Sequence, residues 1–328
     1  MGNQVEVMQT QNSAKQRKKP QKESTDKLTL KKDLKKNGVL YLIFLIPAVY
    51  LIIFKYIPMV GILMAFQNYK VSKGLFHSEW VGLANFIELF SGDQLPIALR
   101  NTVAMALLNL TLGFIVPVTL GLLISQVRSK RTSRVVQTVT YLPYFVSAVV
   151  VCSLAQEFLN DSGAITQVLS FFGLPEQNWL AVNGSSFWMI NTFLGIWQGA
   201  GYGAIIYIAT INGISKELYE ASAIDGANRW KQLTKITLPG VLPIIVMMFT
   251  IQIGLVFMSG FDKVLLLYMP STYEYSDVLS TYTYRMAFGS SINYGLSTAS
   301  GLFQSIVGTI LLIVGNKLSS AMTKMSLY

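Results

Sequence analysis

Apolar residues in this chain fall in long blocks that no charge interrupts. Uncharged runs cover Asn37–Phe54, Asn101–Val127, Val135–Gln156, Gln177–Ser215, Ile236–Phe261 and Met286–Asn316. About 20 mostly apolar residues suffice to cross a bilayer as a helix. The runs predict six membrane helices, at roughly 38–57, 101–124, 136–158, 187–210, 240–261 and 299–318. The expected fold class is an all-α polytopic membrane protein. Residues 1–37 read as a basic, disordered cytoplasmic tail, 38–100 as the first span with an outer segment, 101–318 as the main transmembrane domain and 319–328 as a cytoplasmic C-terminus.

Composition sharpens this picture. Charged residues are 13% of the 328, against about 25% in an ordinary soluble domain. The net charge of +10 resides mostly in the tail and does not point to nucleic acid. That tail is too long and polar for a signal-peptide leader, and no clean small-residue cleavage site follows it. It helps to set orientation and has the chemistry to touch anionic lipid. With the N-terminus inside, twenty Lys/Arg lie on the cytoplasmic side and six outside. This predicts both termini in the cytoplasm.

Chemistry is sparse. One cysteine, Cys152, and one histidine, His77, exclude an internal disulfide framework, a cysteine zinc site and an HExxH site. Cys152 reads as a small buried hydrophobe and His77 as a loop residue. No GxxxxGK[ST] phosphate loop and no GxSxG elbow occurs. No chain of buried carboxylates relays protons through the spans. The expectation is a chain that is not an enzyme, binds no metal or cofactor, and takes its energy from elsewhere. Lys55 and Glu157 read as snorkelling anchors at outer span ends. Pro47, Pro117, Pro143 and Pro243 read as kinks. Gly195, Gly199 and Gly203 recur every four residues, a spacing that suits close helix packing.

The segment Asn212–Pro239, NGISKELYEASAIDGANRWKQLTKITLP, carries the strongest signal. Ser215 is placed to cap a helix, with Glu217 and Glu220 in its first turns. Gly226 is placed to end it with a left-handed residue. A second short helix carries Trp230 and Leu233, and Leu238-Pro239 is expected to close it before the fifth span. Small residues Ala221, Ser222, Ala223 and Ala227 suit insertion into a narrow groove. An interfacial membrane helix is the alternative on local physics.

Glu220-Ala221-Ser222, Asp225-Gly226-Ala227 and Ile236-x-Leu238-Pro239 resemble the EAA motif of binding-protein-dependent ABC importer permeases, the MalF-like superfamily, with Ser222 in place of an alanine. The resemblance implies a type I importer permease whose loop 212–239 is a coupling helix. Glu220 would pair with a basic residue of an ATPase subunit, Gly226 would allow the turn, and Asp225 would brace it. Phe54-Lys55-Tyr56-Ile57-Pro58-Met59 and Ser276–Arg285, followed by Gly301-Leu302-Phe303-Gln304-Ser305, resemble oligosaccharide and polysaccharide permeases of the LplB type.

That resemblance implies a bacterial cytoplasmic-membrane complex with a second homologous permease, two ABC ATPase subunits that use ATP and Mg, and an extracytoplasmic solute-binding lipoprotein. The implied cargo is an oligo- or polysaccharide. Trp197, Gln198, Tyr202, Tyr207 and Gln252 offer stacking faces and amides without charge, and are the candidate substrate path. The outer segment 262–298 reads as a lid that meets the binding protein, with Arg285 a candidate for attracting an acidic sugar. A permease for a non-sugar solute and an ion-coupled secondary carrier are the alternatives.

Overall fold

The computed structural model describes residues 30–182, 184–257 and 260–323. The expected tail lies outside these residues up to position 29. From Leu30 onward the chain is already helical, so the end of the basic stretch belongs to α1 (Leu30–Leu51). The chain divides into two compact units, up to Val60 and from Gly61 onward.

In the first unit, α1 kinks at Asn37, where φ is −115°. It runs on through a π-helical turn, Ile52–Tyr56. Its large apolar side chains, such as Val39 and Ile46, are exposed all round. An all-apolar helix is what lipid or another apolar partner accepts.

The second unit begins with a two-stranded antiparallel pairing, β1 (Gln67–Asn68) with β2 (Glu79–Trp80), and α2 (Ala84–Ser91). Asn85 of α2 donates to the carbonyls of Ala65 and Gln67, at 2.9 and 3.0 Å. Next come α3 (Gln94–Leu108) and α4 (Phe114–Ser125), joined by a π turn at Asn109–Gly113. Together they span Gln94–Ser125. After them lie α5 (Lys130–Tyr141), α6 (Ala148–Leu159) and α7 (Ala164–Phe171). Then come α8 (Gly184–Asn212), α9 (Lys216–Ile224) and α10 (Arg229–Gln232). A π turn at Leu233–Thr237 joins α10 to α11 (Leu238–Leu255). After it lie α12 (Phe261–Leu267) and α13 (Leu279–Phe288), and α14 (Tyr294–Thr323) closes the unit.

Among the described residues five helices are long and apolar enough to cross a membrane, and a bent pair makes six if it is one broken span. The third expected span, 136–158, is that pair. Lys130–Phe145 and Ala148–Leu159 meet at 91°. The break has a local cause. Pro143 opens a 3-10 turn, Val146 is extended at φ −79°, ψ 132°, and the Ser147 side chain caps α6 by accepting from the Val150 N–H. A kink relieved in place would have kept one helix; here a new cap starts a second.

The fifth span also differs. Leu238-Pro239 closes nothing, because helix runs unbroken over Arg229–Leu255. The π turn ahead of Pro239, with the Leu238 N–H bonded to the Leu233 carbonyl, takes up the ring and the missing donor.

Lipid is as apolar as leucine, so packing between spans rests on close approach of backbones rather than on hydrophobic transfer. Glycines mark where. A Cβ on Gly201 of α8 would overlap the Thr140 carbonyl of α5. One on Gly121 of α4 would sit 3.0 Å from the Tyr207 Cβ of α8. The stripe Gly195, Gly199 and Gly203 does not serve this purpose as expected. Gly195 and Gly199 face open space, and Gly203 alone touches a neighbour, Pro117. Spacing shows which residues share a face but not what that face meets.

Candidate functional site

Two features of the second unit have the form of working parts. The first is the 212–239 loop. Ser215 accepts from the Glu217 N–H at 3.2 Å and starts α9. Gly226 has φ +75°. Its N–H bonds to the Ala223 carbonyl at 3.1 Å, and the Ala227 N–H bonds to the Ser222 carbonyl at 2.8 Å. This pair of bonds is a Schellman cap, and it reverses the chain at Gly226. Asn228 then caps α10 by accepting from the Lys231 N–H at 2.9 Å.

The two short helices are tied by polar contacts that sequence reasoning missed. Gln232 Nε2 donates to the Tyr219 carbonyl at 3.2 Å and to Ser222 Oγ at 3.0 Å. The Tyr219 and Thr237 hydroxyls lie 2.9 Å apart. Ser222, the departure from the motif, is thus the acceptor that holds Gln232. Ser222 stands between Ala221 and Ala223, and a hydroxyl there was the one available signal. Glu220, Ala221 and Asp225 are exposed. So are Leu218, Ile224 and Trp230, at 54%, 88% and 70%. The result is a pre-folded knob with bare apolar side chains around an unpaired acid. Ile214 turns inward instead, against Gly240.

The second feature is a cavity of about 870 Å³ between α4, α8 and α11. Its lining includes Asn109, Tyr202, Tyr207 and Gln252, and no charged residue. Gly195, Gly199 and Gly203 form part of its α8 wall, which explains why the first two face open space. Gln252 reaches across and donates to the Asn109 carbonyl at 3.1 Å. That carbonyl lies in the π turn of the second span, where helical bonding is displaced. Tyr202 stacks on Tyr144 at 3.9 Å between centroids.

Of the expected path residues, Tyr202, Tyr207 and Gln252 meet here. Trp197 lies outside the lining and is about half exposed. It sits five residues before Tyr202, on the opposite face of α8. Gln198 is also displaced from the path. It is buried, and its Nε2 donates to the Val146 carbonyl at 2.6 Å, the group that the broken span leaves without a helical donor.

The outer segment is braced rather than loose. Trp188 Nε1 donates to the Tyr275 carbonyl at 2.7 Å, and the Tyr275 hydroxyl to the Ala181 carbonyl at 2.6 Å. Asn101 Nδ2 donates to the Asp277 carbonyl at 2.9 Å. The Arg285 side chain, the candidate for attracting an acidic sugar, is largely buried, and its second terminal nitrogen has no partner among the described residues. Arg285 forms an ion pair with Asp277 at 2.5 Å and lies over the Tyr273 ring at 4.2 Å. Burial pushes the Asp277 carboxyl above its ordinary range. The Thr281 hydroxyl and the Arg285 guanidinium offset this only in part. Burial and the neighbouring Tyr273 push Tyr268 up to about 12.

Residues 113–326 match the family described as "Binding-protein-dependent transport system inner membrane component". The chain belongs to that family. It is 37% identical to the polygalacturonan/rhamnogalacturonan transport system permease protein YteP of Bacillus subtilis (strain 168), over 94% of this chain and 95% of that one. It is 34% identical to Protein LplB of the same organism, over 90% and 92%. Among solved structures it resembles a chain of a bacterial alginate ABC transporter in complex with alginate pentasaccharide-bound periplasmic protein. That match has a TM-score of 0.82 at 36% identity, over 90% of this chain and 99% of that one. The fold is that of a multi-pass permease of a bacterial ABC importer.

Proposed function

We propose that this chain is one of two permease subunits of an ATP-driven importer for oligo- or polysaccharide, supplied by an extracytoplasmic solute-binding protein. The uncharged cavity carries this reading. Its volume lies in the roughly 300–1,000 Å³ range of ligand sites. Tyr202 and Tyr207 give faces for sugar C–H groups, while Asn109 and Gln252 give amides for hydroxyls. Similarity to permeases named for polygalacturonan and to an alginate importer supports a saccharide cargo.

In this reading both termini are cytoplasmic, and the 212–239 knob docks on one of two ATPase subunits. Those subunits use ATP and Mg, while this chain holds neither. Leu218, Ile224 and Trp230 supply the apolar contact, and Glu220 the charge that meets a basic residue. Binding of ATP in the partners supplies the differential free energy that any change of facing requires.

The test begins with the native complex purified through this chain and reconstituted in vesicles. A second six-span permease and a Walker-A ATPase should accompany it, and uptake of uronate-containing or neutral oligosaccharide should follow ATP. Uptake that follows an ion gradient without ATP would overturn the reading in favour of a secondary carrier.

A further inference from the structure

A second pocket, of about 340 Å³, opens between the end of α4, the start of α5 and the end of α8. Lys130, Arg134, Ser125, Ser133, Gln137 and Asn212 line it, and no acid does. It lies apart from the uncharged cavity and shares no residue with it. Lys130 and Arg134 stand four residues apart, on one face of α5. Like charges at that spacing weaken a helix slightly, and no Asp or Glu occurs from residue 94 through 156 to offset them within this part of the sequence. Neither cation makes an ion pair among the described residues. Arg128 and Arg131 add to the local field, and Arg229 is bonded to the Gln126 carbonyl at 3.2 Å.

We propose that this pocket binds the phosphate headgroup of an anionic phospholipid. Two cations, two hydroxyls and two amides match the donors that a phosphate oxygen cluster takes. The location favours lipid over a soluble anion. Ser125 and Asn212 are the last residues of two membrane-crossing helices, so the pocket lies at headgroup depth. Basic pockets between spans at a membrane face are a recurrent form of headgroup site.

The test uses the intact importer complex in nanodiscs of phosphatidylcholine with a minor share of phosphatidylglycerol. Native mass spectrometry would count the phosphatidylglycerol kept after detergent extraction. K130Q/R134Q should weaken retention about 30-fold, the effect of withdrawing two cations from an anionic surface. R131Q, which removes one charge from the local field but no lining donor, should weaken it only about fivefold. Equal retention by the two variants would overturn the proposal. Displacement of the lipid by millimolar inorganic phosphate would assign the pocket to a soluble anion and overturn it too. A second readout uses the wild-type complex, so that a misfolded variant does not decide the matter. Photoactivatable phosphatidylglycerol should crosslink to peptides covering 124–137 or 208–212. Crosslinks confined to other segments, or crosslinking of an ATPase acid to Lys130 in their place, would overturn the lipid assignment.

Discussion

The turn at Gly226 allows a test in which backbone conformation and steric fit separate. Gly226 has φ +75°, and a Cβ built there meets nothing within 4 Å. Any penalty for a side chain must therefore come from the backbone. An L-residue in the left-handed region costs about 1–2 kcal/mol, with asparagine more tolerant and β-branched residues less so. A penalty of about 1.4 kcal/mol is a tenfold shift in the equilibrium constant between the capped and uncapped knob. The expected order of transport-coupled ATP hydrolysis in reconstituted vesicles is then Gly, Asn, Ala, Val. Gly226→Asn should stay within a few-fold of the wild type, and Gly226→Val should lose uptake while the protein remains in the membrane. Equal loss in Asn and Val would show that the partner's groove rejects any side chain, and φ would not be the cause. Wild-type coupling by Gly226→Val would refute the reasoning altogether and remove the turn from the coupling machinery.

Other expectations follow from single contacts. Arg285→Met leaves the buried Asp277 carboxylate unpaired and should destabilise by about 3–5 kcal/mol at neutral pH, measured by thermal unfolding in nanodiscs. The sign of its pH dependence is fixed. The folded carboxyl of Asp277 is already raised above its unfolded value of 3.8, and the variant raises it further. Its contribution is therefore full below pH 3.8 and is lost as pH rises through the folded value, so the variant should be least impaired in acid. Gly199→Phe meets no neighbour at Cβ and should fold yet block uptake by filling the cavity, whereas Gly201→Ala, pressed on the Thr140 carbonyl, should lower the amount of protein in the membrane. Ser222→Ala removes the acceptor for Gln232 and should cost about 1 kcal/mol locally, seen as faster amide exchange over 216–237 with transport retained.

The spans and the knob were legible for different reasons. A membrane span declares itself through length and lack of charge, and the ends at Asn212 and Ser125 fall within two residues of expectation. The knob declares itself through capping chemistry, which is local: Ser215, Gly226 and Asn228 each act within a few residues. What failed to show was non-local or depended on a choice between two local solutions. Pro143 is compatible with a kink or a break, and Gln198, 52 residues from the carbonyl it satisfies, decides between them only once α8 is in place. Pro239 looked like a stop, but a π turn upstream lets helix continue through it. Gly195 and Gly199 carry packing-type spacing, yet their face meets a cavity because α4 and α11 stand apart there. The pairing of Arg285 with Asp277, eight residues earlier, did not show either, because it depends on how the chain turns between them.

Two of the cavity walls are continuous with the knob, and this determines how a push at one end reaches the other. The helix Gly184–Asn212 lines the cavity through Tyr202 and ends next to the knob, while Arg229–Leu255 begins in the knob and lines the cavity through Gln252. From Arg229 to Gln252 is about 35 Å at ~1.5 Å per residue. That helix is unbroken from end to end although it holds the π turn at Leu233–Thr237 and Pro243, so it can pass a push along its axis. Rotating the knob would then displace Gln252 and Tyr202 together, and the Gln252–Asn109 bond would be the contact that breaks or reforms. Inserting two glycines between Ile236 and Thr237 would break the helix near the membrane face and leave the caps at Ser215, Gly226 and Asn228 in place, with loss of the Tyr219–Thr237 contact. Reconstituted complex carrying the insertion should still hydrolyse ATP, because the knob still docks. It should fail to accumulate sugar, because the push no longer arrives. Unimpaired uptake would show that α8 alone transmits the motion. Loss of ATP hydrolysis along with uptake would show that the insertion had unfolded the knob, which amide exchange over 216–232 would confirm or exclude.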